Sequence, residues 1–320
     1  MLEAKDIHFS YNGHTQILHG IDLSVPRGEI TIITGPTGSG KSTLAKILTG
    51  FIPRSIQGEL SGTILIDNQD TGSFTISQYA KQVSLVQQDV ESQLCTLLVS
   101  DEIAFGPENY QVLQNEILER TSKHARDVGV EHLLGRPTYA LSGGEKQRVV
   151  IASMLACQSE YIVLDEPTSS LDPHGVKLLL NILFELKRKG IGIICIEHRM
   201  DGITQIADTI LRLSDGKLEK YRVNPQKMEK IVQNQTNYEY GTEILVGTGL
   251  TFAYDNQEVI TDLDIVLHQG EIICIMGQNG SGKSTLLGLL GGLLGPKSGS
   301  VLLDGKCLTQ LSRKEIASRI

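Results

Sequence analysis

Short apolar runs alternate along the chain with longer stretches whose apolar positions recur at helical spacing. β-branched runs at residues 30–34, 83–86, 161–164, 191–196 and 209–213 have strand length, while 143–157 and 174–189 read as helices. Alternation of this kind predicts an α/β fold with a mostly parallel, helix-covered sheet. Residues 95–140, rich in helix formers, interrupt it and predict an inserted helical subdomain. From residue 221 to 243 the composition turns polar, which predicts a linker.

The pattern also repeats. GEITIITGPTGSGKSTL at residues 28–44 and GEIICIMGQNGSGKSTLL at 270–287 are related by an offset of 242 residues, and the second loop has its own β-branched strand candidate at 272–276. Upstream, FSYNGHTQILHGIDLSV matches FAYDNQEVITDLDIVL. Downstream, SGTILIDNQ at 61 matches SGSVLLDGK at 298 with an offset of 237, so the first copy carries five extra residues near 53–58. The later offset sets Ile320 opposite Val83, and the second copy then covers about a third of the unit. The expected organisation is a complete domain at 1–222, a linker at 223–243 and the N-terminal part of a second domain at 244–320. In that second part the 272–276 strand would lack its later sheet neighbours and leave an apolar edge exposed.

Composition narrows the classes. With 320 residues, 40% of them apolar, and a formal net charge of −8, the chain can bury sizeable cores but has no basic field to hold nucleic acid or an anionic membrane. No apolar run approaches the roughly 20 residues that span a bilayer, and the first residues lack the apolar core of a signal peptide. A cytoplasmic protein is expected, with any membrane contact made through a protein partner. Of the five cysteines, Cys157, Cys195 and Cys274 sit in apolar stretches and read as reduced, buried thiols; none forms a metal-binding spacing.

Chemistry concentrates at a few places. Gly35, Pro36, Thr37, Gly38, Ser39, Gly40, Lys41 and Ser42, followed by Thr43, fit G-x-x-x-x-G-K-[ST], a loop whose backbone N–H groups cradle phosphates at a helix N-terminus. Lys41 would neutralise the β and γ phosphates, and Ser42 would ligate Mg²⁺. A glycine turn without a ligand is the bland alternative; the strand before and the helix after argue against it. Gly277, Gln278, Asn279, Gly280, Ser281, Gly282, Lys283 and Ser284, with Thr285, repeat the pattern. At 161–167, YIVLDEP sets two carboxylates at a strand end: Asp165 suits a Mg²⁺ site, and Glu166 is placed to orient or deprotonate an attacking water.

LSGGEKQR at 141–148, some twenty residues before the Asp-Glu pair, resembles the signature motif of ABC ATPases. The resemblance spans about residues 1–220 and 243–320. It implies a P-loop NTPase fold with an antiparallel β subdomain and a helical subdomain, and ATP hydrolysis with Mg²⁺. It also implies pairing of two ABC domains, as a homodimer or with a partner ATPase, so that Ser142, Gly143 and Gly144 close over ATP held opposite. By the same resemblance Tyr11 stacks on adenine, Gln88 is the glutamine loop and a Mg²⁺ ligand, Asp172 belongs to the D-loop, and His198 is the switch histidine. Taken singly these four have bland readings, as rim, surface or structural residues. Glu145 stands where many family members have Gln. The stretch 83–109, with its Q-L pair and FGPEN, and EHRMD at 197–201 are similar to energy-coupling factor and cobalt-type importer ATPases. That likeness implies integral membrane transporter subunits as partners and uptake of a vitamin, a thiamine precursor, or cobalt or nickel. The competing reading is a soluble tandem ABC protein acting on ribosomes or nucleic acid, which the short polar linker and acidic charge disfavour.

Overall fold

The computed structural model describes residues 1–198, 200, 202–222, 241–255, 257–277 and 280–319. Most of the expected linker therefore lies outside the described residues, as do Gln278, Asn279 and two residues of the EHRMD stretch. The chain divides into two units between residues 224 and 225.

In the first unit, β1 (Leu2–Ser10), β2 (Gln16–Val25), β4 (Glu59–Ile66) and β5 (Gln69–Asp70) form an antiparallel sheet in the order β2-β1-β4-β5. A second sheet has the order β10-β9-β3-β8-β7-β6, built from β3 (Ile30–Thr34), β6 (Val83–Val86), β7 (Tyr161–Asp165), β8 (Gly192–Ile196), β9 (Thr209–Ser214) and β10 (Lys217–Lys220). Its pairings are parallel except for β9 with β10. Helix α1 (Lys41–Leu48), the short α2 (Phe51–Arg54) and α3 (Ile76–Ala80) follow β3 in the chain, and α4 (Val99–Asn109), α5 (Gln114–Asp127) and α6 (Gly143–Ala156) supply the helical insertion. Helix α7 (Pro173–Arg188) connects β7 to β8.

The sheet is buried on both faces, as parallel sheets are, and its strands alternate between two cores. Ile33, Val163, Ile194 and Ile196 pack with α1 and the antiparallel sheet, whereas Ile30, Ile32, Ile162, Leu164, Ile193 and Cys195 pack with α4, α6 and α7. This two-sided demand explains why the strands read as continuous apolar runs with no polar alternation. Among the described residues no helix is long and apolar enough to cross a membrane.

The second unit repeats the beginning of the first. Strands β11 (Glu243–Tyr254), β12 (Gln257–His268), β13 (Ser298–Leu303) and β14 (Lys306–Cys307) form an antiparallel sheet in the matching order β12-β11-β13-β14, with helices α8 (Lys283–Leu290) and α9 (Arg313–Ala317). The strand expected at 272–276 is not formed: residues 271–277 join no ladder, and Ile272 and Met276 are 95% and 86% exposed. Its counterpart β3 is a strand because β8 and β9 bond both its edges. Cys274, expected to be buried, is exposed for the same reason, and Cys157 is only partly buried, while Cys195 is fully enclosed in β8.

One backbone device recurs in both antiparallel sheets. At Gly62 φ is +94°, and a Cβ there would lie 2.3 Å from the Asp6 carbonyl oxygen, where the β1–β4 register shifts. Gly299 holds the same place in the second unit, with φ +87° and a Cβ position 2.4 Å from the Gly249 oxygen, at a register shift between β11 and β13. Only glycine fits such a bulge without strain. Gly62→Ala is therefore expected to lower the unfolding free energy by about 1–3 kcal/mol, read as a lower urea midpoint; an unchanged midpoint would mean that the bulge relaxes freely.

Candidate functional site

The phosphate loop follows β3 and turns into α1 at Lys41. Gly35 (φ +154°) lets the chain run against β9, since a Cβ would lie 2.1 Å from the Leu213 oxygen. Gly40 precedes α1 with φ +98° and no side-chain cap, and the first turn holds no acidic residue, so the helix presents bare N–H groups to an anion. Lys41 is buried, and its Nζ donates to the carbonyls of Gly35 at 2.9 Å and Pro36 at 2.8 Å. Burial draws the Lys41 amine below its usual pKa, against the nearby Glu166 and Asp165 carboxylates that hold it up. Pro36, Thr37, Gly38 and Ser42 are exposed, and Ser39 Oγ is buried without a hydrogen-bond partner.

The carboxylates stand at the end of β7. Glu166 adopts φ +50° and is pinned by its backbone N–H to the Ile196 oxygen at 2.9 Å. One of its oxygens accepts from Gln88 Nε2 at 2.8 Å, and the other lies 2.9 Å from His198 Nε2. Two residues, from the ends of β6 and β8, thus converge on one carboxylate at the end of β7. Asp165, beside it, has an oxygen buried without a hydrogen-bond partner; burial pushes its carboxyl up, while the Ser42 hydroxyl holds it down. An orphaned carboxylate oxygen next to a serine hydroxyl is a pair of hard oxygen donors, which fits Mg²⁺.

Tyr11 is 44% exposed, stands edge-on to Phe9 at 4.7 Å between ring centres, and shares a 3.2 Å hydrogen bond with the Thr43 hydroxyl in α1. Its hydroxyl is therefore engaged by the phosphate-loop helix, a contact that stacking alone does not require.

The glycine pair opens α6. Ser142 caps the helix in a capping box with Glu145: the Ser142 backbone N–H and hydroxyl each donate to Glu145 Oε2 at 2.8 Å, and the Glu145 N–H returns to Ser142 Oγ. Either Glu or Gln can close such a box, which gives the Glu145 variation a physical basis. Burial pushes the Glu145 carboxyl up, but the two bonds from Ser142 and the charges of Arg136 and Arg148 outweigh it and hold it below the usual range. Ser142 and Gly143 are exposed, and among the described residues no hydrogen bond joins Ser142, Gly143 or Gly144 to the phosphate loop of their own unit. Asp172 caps α7 through the Gly175 N–H at 2.7 Å, ahead of Pro173 in the first turn.

Two polar residues that lie within LSGGEKQR and EHRMD, but to which those motifs give no individual role, bind this region together. Gln147 Nε2 donates to the Pro167 oxygen at 2.8 Å, and the buried Glu197 accepts from the Thr168 N–H at 2.9 Å. A carboxylate ending the apolar strand IICIEH was the available signal for Glu197.

In the second unit the loop geometry recurs: Gly282 has φ +88°, Lys283 Nζ donates to the Gly277 oxygen at 2.9 Å, and Thr285 is buried while Ser281 and Ser284 are exposed. Among its described residues no counterpart of Gln88, Asp165, Glu166 or His198 is present.

A family model for ABC transporters matches residues 18–169 and 260–320. A protein of Methanosarcina mazei named as an ABC transporter ATP-binding protein is 32% identical over all of this chain and 66% of its own length. One of the same name from Sulfurisphaera tokodaii is 36% identical over 97% of this chain and 68% of its own. The chain spans about two thirds of the length of these relatives. Among solved structures, cbiO1 of Clostridium perfringens, part of the ABC transporter complex cbiONQ, superposes with a TM-score of 0.62 at 32% identity, covering 68% of this chain and 86% of that one. The ADP conformation of MJ1267, an ATP-binding cassette of an ABC transporter, gives 0.59 at 27% identity over 68% and 89%.

The Ser142–Glu145 box carries a pH signature. Because the folded carboxyl titrates below its unfolded value, its stabilisation is present above the unfolded pKa and is lost as pH falls through the folded one. Ser142→Ala is expected to cost about 1 kcal/mol at neutral pH and to narrow its deficit toward wild type as the solution is acidified. Urea unfolding at several pH values checks this, and a pH-independent deficit would exclude the box as the cause.

Proposed function

The chain belongs to the ABC transporter family of ATP-binding proteins, and from that premise we propose that it binds and hydrolyses ATP to power an importer of the energy-coupling factor type. The observation that carries the proposal is the convergence of Gln88 and His198 on Glu166, beside the loop that holds Lys41. The importer branch is supported by the 83–109 sequence and by the likeness to cbiO1. The solute belongs to the vitamin, thiamine-precursor, cobalt or nickel class that those importers take up. Integral membrane subunits are the partners, and the chain sits on the cytoplasmic face of the membrane through them.

In this reading the phosphates of ATP displace the Gly35 and Pro36 carbonyls from Lys41 Nζ, and the loop N–H groups from Gly38 to Thr43 hold their oxygens. Tyr11 packs on the adenine, its ring angle set by Thr43. Ser42, Asp165 and the amide oxygen of Gln88 would hold Mg²⁺, which supplies charge to the β and γ phosphates when bound. Glu166 accepts the proton of the attacking water, and Gln88 and His198 keep its two oxygens oriented so that the water lies in line. The second loop, Gly277 to Thr285, carries the same phosphate-holding pattern.

Ser142 and Gly143 face solvent in their own unit, so in this reading the site is completed by another ABC domain, a second copy of this chain or a partner ATPase, with Gly144 beside them and Asp172 at the junction. Closing glycine-led N–H groups over the γ-phosphate from outside makes binding and assembly interdependent.

Glu166→Gln should keep ATP affinity while lowering turnover about 10²- to 10⁴-fold; equal loss of both in binding and steady-state assays would remove Glu166 from the base role. The shared site makes a separate demand. Lys41→Ala and Ser142→Arg should each be nearly inactive alone, and a mixture of the two should recover activity, because one site of the mixed dimer keeps both residues. Absence of recovery, with an active wild type, would point to a partner ATPase and not to self-pairing.

A further inference from the structure

The most enclosed acidic group near the site is the first residue of the EHRMD stretch, and no step of the proposed hydrolysis uses it. Glu197 is 2% exposed, follows β8 directly and precedes His198. Its backbone N–H is anchored to the Ile33 oxygen at 3.0 Å, on the strand that leads into the phosphate loop. Its carboxylate accepts the Thr168 N–H at 2.9 Å. Thr168 is itself buried and stands two residues after Glu166; its carbonyl accepts the Leu171 N–H at 3.2 Å, and Ser169 returns to the Glu166 carbonyl through its N–H and hydroxyl. On the other side of the same peptide, Gln147 of α6 holds the Pro167 oxygen.

A buried carboxylate is costly unless hydrogen bonds hold it in one place, and here the donor is the Thr168 N–H, in the turn that leaves Glu166. We propose that Glu197 is a positioning residue for hydrolysis: it ties the turn after Glu166 to the strand end carrying His198, so that the Glu166 carboxylate and the 170–172 turn keep one geometry. The proposal rests on the reading of Glu166 as the group that handles the attacking water. Burial also pushes the Glu197 carboxyl up, held down in part by the Thr168 bonds, so the neutral isostere glutamine is a conservative replacement that keeps an acceptor oxygen for Thr168.

The test compares wild type, Glu197→Ala and Glu197→Gln as full chains, by steady-state ATPase kinetics and by amide hydrogen exchange at Thr168. Glu197→Ala is expected to lower kcat about ten- to hundredfold, the scale of a small misplacement of a catalytic group, with the KM for ATP little changed. Its Thr168 amide should exchange at least about tenfold faster, reporting the freed N–H. Glu197→Gln should stay close to wild type in both readouts. Thermal melting accompanies each variant, and Glu197→Thr replaces the alanine variant if the latter is recovered unfolded. A rise in KM at unchanged kcat, glutamine as damaging as alanine, or unaltered Thr168 exchange in Glu197→Ala would each overturn the proposal. Glu166→Gln is run alongside: wild-type turnover in it would sink the reading of Glu166, and the exchange arm would still decide whether Glu197 holds the turn.

Discussion

The parallel pairing of β3 with β8 on one edge and β9 on the other is the constraint on which the site depends. Residues Ile30 to Ile33 align with Ile193 to Ile196, and β7 and β6 continue the same direction, so four adjacent strands end at one side of the sheet. Everything chemical follows from those ends: the phosphate loop after β3, Glu197 and His198 after β8, Asp165 and Glu166 at β7, and Gln88 just past β6. Brought together from positions up to about 160 residues apart in sequence, they need no long side chains to meet. Strand ends at a point of topological reversal are where open α/β sheets bind ligands, and the geometry here obeys that rule.

Rigid placement at this edge is obtained with polar groups buried in pairs. Glu166 sits in a backbone conformation uncommon for its type, and it stays there because its N–H is bonded to β8 and its side chain is gripped from both flanks. Such strain persists where the surroundings over-determine it. Helix α6 joins the same network through Gln147, and its Lys146 reaches Glu91, three residues past Gln88, at 2.7 Å. An ion pair with one exposed partner contributes little stability, so its interest lies in geometry: the helix that Ser142 caps and the segment whose Gln88 grips Glu166 are joined within one unit. The ABC family membership accounts for the parts, and the packing accounts for their being held as a set.

Much of the fold was legible because the two periods are so different. Runs of β-branched residues at 83–86 and 161–164 appear as strands of nearly those bounds, and the helices read at 143–157 and 174–189 lie at 143–156 and 173–188. The phosphate loop, the Asp-Glu pair and the glycine pair stood out because each needs particular residues at fixed spacing. The Tyr11–Thr43 bond, Gln147 and Glu197 did not, since a single polar residue takes its meaning from a partner that sequence spacing does not reveal. The second unit separates the two kinds of information cleanly. The described residues of its loop share two features with the first, a left-handed glycine before the helix and a lysine folded back on the loop carbonyl, because those features arise from contacts within eight residues. The sequence alone therefore determined the loops and the helices that follow them, whereas the glycine bulges at Gly62 and Gly299 belong to strand pairings about fifty residues apart. Whether an isoleucine-rich run becomes a strand was decided only by tertiary structure. Residues 30–34 are a central strand and 272–276 are not, although both are apolar and β-branched, since a strand's hydrogen bonds belong to its neighbours and only the first run has β8 and β9 beside it.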